Sequence, residues 1–248
     1  MIRCIEEYSI NAWPALQTLH YDGWVLRFAN GYTRRANSVH PLYPSTLPLD
    51  QKIAACEALY ADRGLPPCFK MTAASQPHDL DEALAGRGYA LDAPTSVQLL
   101  DLAALPLAGG AHDGVEITST PGVEWLSAFN RFSAVTPERQ AMHAQILAAI
   151  PPVTGYAAIR QEGRLVACGL GVAQTGCLGL FDIVTDAACR RQGHARRLVR
   201  ALLDWGKRQG ARTAYLQVML NNAPALNLYA GLEFRECYTY WYRVKPLG

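Results

Sequence analysis

Two polar segments of the 248-residue chain have residue types and spacing that suit chemistry on an anionic ligand. The first is residues 190–195, Arg-Arg-Gln-Gly-His-Ala, between an apolar run at residues 177–184 and a basic segment with helical periodicity. A glycine at such a junction lets the backbone approach a ligand closely. Free amides and the dipole at a helix N-terminus attract anions. We therefore expect residues 190–195 to hold a phosphate group.

The second segment is residues 222–229, Asn-Ala-Pro-Ala-Leu-Asn-Leu-Tyr, which follows a strand-like run at residues 213–219. Asn222 can cap a helix, and Pro224 fits only the first turn of one. The pattern therefore predicts a strand, a turn and a short helix that carries Tyr229.

Together these segments resemble the signature of the GNAT superfamily of N-acetyltransferases. The family patterns are Arg or Gln, two residues, Gly, one residue, Gly or Ala; and Asn, two residues, Ala, two residues, Leu-Tyr, three residues, Gly-Phe. The residues that match are Arg190, Gly193, Ala195, Asn222, Ala225, Leu228, Tyr229 and Phe234. The chain departs from the family at Ala187 and Cys189, where many members have Pro and an aromatic residue, and at Glu233, where the family has Gly. The match covers residues 115–245.

The resemblance implies an α+β fold, with a mixed, mostly antiparallel sheet flanked by helices. It implies transfer of an acetyl group from acetyl-CoA to a primary amine of a small molecule, amino acid or peptide by direct attack. Tyr229 would be the catalytic residue that gives a proton to the CoA sulfur, and the Val184 amide would meet the oxyanion. None of the seven cysteines is needed as a nucleophile. The cofactor-binding residues implied are Ile183, Val184, Thr185, Arg190, Arg191, Gln192, Gly193, His194, Ala195, Arg196, Asn222 and Tyr229.

The sequence does not identify which group removes the proton from the acceptor amine. Asp182 lies on the strand that leads into the loop, and Glu233 and Glu236 follow the Tyr229 helix; deprotonation through waters is the alternative to all three. An aromatic run at residues 238–242 has period-two spacing, which favours packing of a final strand over an acceptor pocket.

Composition indicates a balanced globular protein. The chain is 50% hydrophobic and 18% charged, with a net charge of +2 when its six histidines are neutral, which argues against nucleic-acid or membrane partners. The odd cysteine number without a Cys-x-x-Cys pair predicts reduced thiols and a cytoplasmic location, and neither cysteines nor histidines have metal-ligand spacing. The N-terminus lacks a signal-peptide core. A homodimer is possible. The alternative to an acetyltransferase is a non-catalytic acyl-CoA-binding or interaction module with a GNAT fold.

A small-residue and proline-rich stretch at residues 105–114 predicts a linker, with domains at residues 1–108 and 109–248. In the first domain, Asn30-Gly31 predicts a two-residue hairpin. A helix at residues 49–63, a strand at 68–72, a helix at 79–85 and a strand at 96–102 follow. This order repeats the end of the second domain, with Tyr89 aligned to Phe234 and Leu84 to Tyr229. We therefore expect the GNAT-like fold twice, the first copy degenerate; an unrelated accessory domain is the alternative.

Overall fold

The computed structural model describes residues 1–104 and 114–246. Its helices are α1 Ile2–Ala12, α2 Leu49–Ala61, α3 Leu80–Gly86, α4 Val123–Phe132, α5 Pro137–Ala148, α6 His194–Arg208 and α7 Ala223–Ala230. Its strands are β1 Gln17–Tyr21, β2 Trp24–Phe28, β3 Val39–His40, β4 Cys68–Thr72, β5 Ala90–Asp101, β6 Val115–Thr118, β7 Val153–Gln161, β8 Arg164–Gln174, β9 Cys177–Thr185, β10 Thr213–Met219 and β11 Arg235–Val244. No helix in the described ranges is long and apolar enough to span a membrane.

The described residues divide into two compact units. Unit 1 takes its residues from Met1–Val97, Met219–Asn221 and 238–246, and unit 2 from Gln98–Val218 and Asn222–Cys237. The division therefore falls inside strands β5, β10 and β11, and most of the last strand returns to the first unit. The cut between residues 108 and 109, and all of the predicted 105–114 linker except Gly114, fall in the range 105–113, outside the described residues, so that boundary stays a prediction.

Unit 2 is a mixed, mostly antiparallel sheet with helices on both faces. Strands β10, β9, β8, β7 and β6 are neighbours in that order, and only the β9–β10 pair is parallel among them. Gly155 and Tyr156 are consecutive on β7, so their side-chain positions face opposite sides. A Cβ at Gly155 would meet the Trp205 ring of α6, whereas Tyr156 packs edge-on against Trp125 of α4. Helices α6 and α4 thus cover opposite faces.

Unit 1 has its own sheet and core. Strands β1, β2, β3, β4 and β11 are neighbours in that order; β3 and β4 are parallel, and β11 pairs antiparallel with β4 from Tyr240 opposite Thr72 to Val244 opposite Cys68. Its apolar core is built on Trp24, Leu26 and Phe69. The final strand of the chain thus completes the sheet of unit 1.

A buried ionic group joins helix α1 to this sheet. The Glu6 carboxylate lies 2.6 Å from Lys70 Nζ and accepts a 2.7 Å hydrogen bond from the Tyr238 hydroxyl. Tyr240 and Tyr242 are 3% exposed. The interpretation of residues 238–242 as a packing strand is therefore confirmed, because their side chains fill unit 1.

Most elements predicted from periodicity are present. The strands at residues 68–72 and 213–219 have the predicted bounds, and the helix at 49–63 ends two residues early. The fold class is confirmed as mixed and mostly antiparallel. Helix α1 and strands β1 and β6 were not predicted, because short or surface-exposed segments bury too few side chains to show a period.

The hairpin predicted at Asn30-Gly31 is wrong. Both residues have positive φ, 46° and 71°, and Tyr32 N donates to Ala29 O, so the tight turn itself forms. No strand follows it, because the Asn37 side chain accepts from the amides of Ala29 and Gly31 and donates to Thr33 O, holding the chain in a loop. The two-residue hairpin joins β1 to β2 instead.

That hairpin turns at Asp22-Gly23, with φ of 41° and 82° and Tyr21 opposite Trp24. Asp-Gly is as strong a hairpin signal as Asn-Gly. The sequence therefore contains the hairpin turn eight residues before Asn30-Gly31.

Candidate functional site

The parallel strands β9 and β10 separate at their carboxyl ends. Their register runs from Thr213 opposite Cys177 to Leu216 opposite Leu180 and stops there, although β9 continues to Thr185 and β10 to Met219. Past Leu180, no strand among the described residues pairs with this edge of β9. The opened edge is therefore free to hydrogen-bond an extended ligand.

A bulge marks the start of the open edge. Opposite β8, Phe181 pairs with Leu170 and Val184 with Cys168, so β9 uses one residue more than β8 in this interval. Asp182 supplies the irregular backbone, with a φ of 51°. Bulges re-aim side chains and are common next to active sites.

The bulge also decides which way Asp182 points. Leu178 and Leu180 belong to the core under α6, and strict alternation would send residue 182 there too. Instead it is Ile183 that packs on that core, beside Leu198 of α6. Asp182 is turned to the opposite face.

The predicted pantetheine residues Ile183, Val184 and Thr185 lie on the open edge, each half-buried. The chain then turns through a short 3-10 helix, Ala187–Cys189, capped by the Asp186 carboxylate, which accepts from Ala188 N at 3.0 Å. This turn carries the chain from the open edge to the start of α6 without the proline and aromatic residue that many family members have.

The predicted phosphate loop is exposed from Arg190 to Gly193 and ends in a left-handed turn. Arg191 has a φ of 62°, and Gly193, the N-cap of α6, has a φ of 81° with no atom within 4 Å of where a Cβ would stand. The first helical bond runs from Arg197 N to Gly193 O, and no side chain caps the helix. Its first-turn amides are therefore available for an anion.

The side chains of this turn divide into inward and outward sets. His194 is 7% exposed with neither ring nitrogen paired, and burial, with Arg197 nearby, lowers its pKa, so only its backbone amide can serve an anion. Ala195 is half-buried. Arg190, Arg191 and Gln192 are exposed. The donor set of open amides plus guanidinium groups fits a phosphorylated ligand.

Arg196 has a structural partner. Its Nη1 donates to Gly231 O at 2.9 Å, at the C-terminal end of α7, where a cation is favoured by the helix dipole. It therefore ties the phosphate-loop helix to the helix that carries Tyr229.

Helix α7 starts as the sequence predicts. The Asn222 side chain accepts from Ala225 N at 3.2 Å, and Pro224 stands in the first turn. Asn222 is thus a cap, and its predicted contact with the cofactor stays a prediction.

Tyr229 is 8% exposed and packs edge-on to Phe234 at 5.8 Å. The Tyr229 hydroxyl has no hydrogen-bond partner among the described residues. It is not fully buried, because it is absent from their set of buried unpaired atoms. Burial raises the pKa of Tyr229 to about 12, so the phenol stays protonated at neutral pH. An unpaired, protonated hydroxyl can act as a proton donor.

Glu233, which stands where the family has glycine, does not disturb the turn after α7. Glu233 adopts a left-handed φ of 68°, and Phe234 N donates to Tyr229 O at 3.0 Å. The turn forms, at the cost of placing a side chain where glycine is favoured.

Comparisons with known proteins agree on one family. The family model "Probable histone acetyltransferase Rv0428c C-terminal" matches residues 1–243. The chain belongs to this family. The uncharacterized N-acetyltransferase YobR of Bacillus subtilis (strain 168) is 30% identical over 250 residues, covering 98% of both chains.

Two further similarities place this family member among GNAT enzymes. The ribosomal protein bS18-alanine N-acetyltransferase of Escherichia coli (strain K12) is 33% identical over 78 residues, 32% of this chain and 53% of that protein. A solved GCN5-related N-acetyltransferase from Kribbella flavida has a TM-score of 0.69 and 17% identity, covering 99% of this chain and 96% of that one. The resemblance to GNAT acetyltransferases is confirmed, and the chain is an acyltransferase.

For this GNAT enzyme, all twelve predicted site residues lie in unit 2, while their individual roles stay predictions. One pair was missed by sequence reasoning: His143 Nε2 of α5 lies 2.9 Å from Asp182 Oδ2. A signal was present, because His143 stands three and four residues before the buried Ile146 and Leu147, on the apolar stripe of its helix. The other base candidates, Glu233 and Glu236, are exposed.

Proposed function

We propose that the protein transfers the acetyl group of acetyl-CoA to a primary amine by direct attack. The observation that carries this proposal is the open edge of β9 next to an uncapped helix N-terminus, because an extended arm and its phosphates need these two surfaces side by side. Bound acetyl-CoA would supply the acetyl group as a thioester.

The residues of unit 2 then have distinct tasks. The amides of Arg191, Gln192, Gly193, His194 and Ala195 hold the pyrophosphate, and the backbone at Ile183, Val184 and Thr185 holds the pantetheine arm. The Val184 amide donates to the carbonyl oxygen as negative charge develops on it. Tyr229 gives its proton to the departing sulfur, which its raised pKa allows at neutral pH.

The acceptor is proposed as a small molecule, an amino acid or a peptide amine. One similar protein is named as an N-acetyltransferase of alanine in a ribosomal protein, but the similarity spans only 78 residues. It therefore supports an amine as the acceptor and not that particular substrate. A cytoplasmic location and a possible homodimer belong to the same proposal.

We also propose that unit 1 is a second GNAT-like copy. In unit 1, β1–β2 and β2–β3 are antiparallel and β3–β4 is parallel; in unit 2, β7–β8 and β8–β9 are antiparallel and β9–β10 is parallel. Each parallel pair is connected through a helix, α2 or α6, and each is followed by a short helix, α3 or α7. Order and direction therefore match over six elements.

The end of the short helix supports the same alignment. Tyr89 N donates to Leu84 O at 3.1 Å, as Phe234 N does to Tyr229 O at 3.0 Å. In both copies the residue before the aromatic is left-handed. Leu84 is 0% exposed, so the position of the catalytic tyrosine is filled by a core side chain in unit 1.

A single variant tests the transfer reaction. Tyr229→Phe should keep acetyl-CoA binding and lower kcat by about 100- to 10,000-fold, the usual contribution of general acid catalysis. Thioester consumption over a panel of amines, polyamines, amino acids and peptides identifies the acceptor used in the assay. Tyr240→Phe, a buried tyrosine of unit 1, is the matched control. Full turnover by Tyr229→Phe would refute its role.

A further inference from the structure

A buried acid–imidazole pair lies at the bulge of β9. His143 of α5 is 0% exposed and the Asp182 side chain is 7% exposed, with 2.9 Å between Nε2 and Oδ2. A carboxylate only accepts hydrogen bonds, so Nε2 is the donor. The contact joins residues 39 positions apart in sequence.

The pair is held from one side and open on the other. The Phe129 ring of α4 lies 4.4 Å from the imidazole ring, between centroids, and fixes its plane. Asp182 Oδ1 has no partner among the described residues and is not one of their fully buried unpaired atoms. The oxygen that His143 does not hold therefore keeps access to solvent.

Two groups that face Asp182 from neighbouring strands are uncharged at neutral pH. Tyr156 on β7 and Cys168 on β8 face Asp182, and burial raises the pKa of each to about 12, so both stay neutral. The positive charge of Arg131 on α4 acts on the Cys168 thiol and opposes part of the rise in its pKa.

Position and chemistry coincide here. Asp182 is the residue directly before the open-edge segment at Ile183 and Val184, so its carboxyl is one residue from the backbone proposed to hold the thioester. The left-handed backbone of Asp182, which the bulge requires, turns that carboxyl to His143 and away from the α6 core. The sequence pattern alone would have placed it on the wrong face.

We propose that Asp182 accepts the proton lost by the acceptor amine and that His143 is the positioning residue that holds its carboxylate; this rests on the proposed acetyl transfer. In the balanced step the C–N bond forms and the C–S bond breaks. The amine proton passes to Asp182, and the Tyr229 proton passes to sulfur. Solvent then removes the proton from Asp182 and returns one to Tyr229.

The test uses the full chain with its best amine from the panel. Asp182→Asn keeps size and a hydrogen-bonding partner for His143 but loses basicity, and His143→Gln keeps an amide donor that does not titrate. His40→Gln is the matched control, because His40 is buried 4.0 Å from Glu6 in unit 1. The readouts are kcat, the KM for acetyl-CoA, the pH profile of kcat/KM and the Tm shift caused by acetyl-CoA.

We expect Asp182→Asn to lower kcat about 100- to 10,000-fold with an unchanged KM for acetyl-CoA and an unchanged Tm shift. His143→Gln should lower kcat less and displace the acidic limb of the pH profile, and the double variant should be no slower than Asp182→Asn alone, since His143 acts through Asp182.

Two results would overturn the proposal. Asp182→Asn with kcat within threefold of wild type would remove the base, and loss of the acetyl-CoA Tm shift in both variants would make the pair a purely structural support. In either case, amine acetylation by the wild type leaves the proposed function standing. A wild type that acetylates no amine sinks both.

Discussion

Gly193 allows the phosphate loop to be tested against Gly210, a glycine with nearly the same φ beyond the other end of helix α6. Gly193 precedes α6 with a φ of 81°, and Gly210 follows it with a φ of 85°; neither has an atom within 4 Å of a built Cβ. Only Gly193 lies at the amides proposed to hold the pyrophosphate. Glutamate at each position adds the same side chain and charge at opposite ends of one helix.

The stability cost without ligand can be estimated from these angles. A left-handed backbone costs a non-glycine residue roughly 1–2 kcal/mol. The helix dipole returns about 0.3–1 kcal/mol for an acid at the N-terminus and takes a similar amount at the C-terminus. We therefore expect Gly210→Glu to be the less stable ligand-free variant, although it leaves the loop intact.

The Tm shift caused by acetyl-CoA should be lost in Gly193→Glu, although this variant is expected to be the more stable one without ligand. Saturation at 100 times Kd stabilises a protein by about 2.7 kcal/mol. At about 2–4 °C per kcal/mol for a chain of this size, acetyl-CoA should raise the Tm by roughly 5–10 °C. Gly210→Glu should keep this shift, and Gly193→Glu should lose it, because the added carboxylate occupies the anion position.

Thermal unfolding with and without acetyl-CoA, followed by calorimetry, measures both quantities. An undiminished shift in Gly193→Glu would mean that the ligand binds elsewhere. Equal loss in Gly210→Glu would mean that general destabilisation, and not the loop, causes the effect.

Two other predictions concern single residues of unit 2, and a third concerns the number of acetyl-CoA molecules bound. Glu233→Gly should stabilise the protein by about 1 kcal/mol in urea unfolding, because it removes a side chain from a left-handed turn. Gly88→Glu at the matching turn should destabilise the protein. A destabilised Glu233→Gly variant would contradict the idea that the Glu233 backbone is strained. Asn222→Ala should cost about 1 kcal/mol through loss of the α7 cap and Asn222→Asp much less, so equal costs for both would refute the capping role. Isothermal titration should give one acetyl-CoA per chain, and two sites would contradict the assignment of binding to unit 2 alone.

The parts of the site that sequence predicted are those with local causes. Asn222 and Pro224 define the start of α7 within three residues, and Gly193 defines the start of α6 by itself. Each signal acts through the backbone of its own turn, so no knowledge of packing was needed.

What sequence reasoning missed depends on contacts between distant segments. The bulge at Asp182 lies in the pairing of β9 with β8, and the separation of β9 from β10 is the point where their register stops. No pattern within β9 alone reveals either feature. The His143 contact follows from that bulge. The hairpin error at Asn30-Gly31 has a local origin, because the nearby Asn37 side chain accepts hydrogen bonds from the amides of Ala29 and Gly31 and holds the segment in a loop.

The amides just before α2 are occupied by a carboxylate of the chain, whereas those at the start of α6 are open. This difference explains why only one anion site is expected. Before α2, the Asp22 carboxylate accepts from Thr46 N and Leu47 N at 2.9–3.0 Å, and Lys52 Nζ lies 3.2 Å away. The Leu47 amide, more than any other donor, holds the pKa of Asp22 well below its usual range. The chain thus supplies its own anion and counter-ion where unit 2 leaves its amides open.

This internal anion is fixed by the turn that carries it. Gly23 follows Asp22, and a Cβ at Gly23 would stand 2.3 Å from Pro44 O, so only glycine lets the loop before α2 close onto the β1–β2 hairpin. At Gly193 the same residue type has open space instead. If unit 1 is a GNAT-like copy, Asp22 occupies two amides of the loop just before α2, Thr46 N and Leu47 N, and the tyrosine position is filled by Leu84. Both changes remove a reason to bind CoA while they keep the unit folded, as expected for a copy that serves the structure of the protein and not its chemistry.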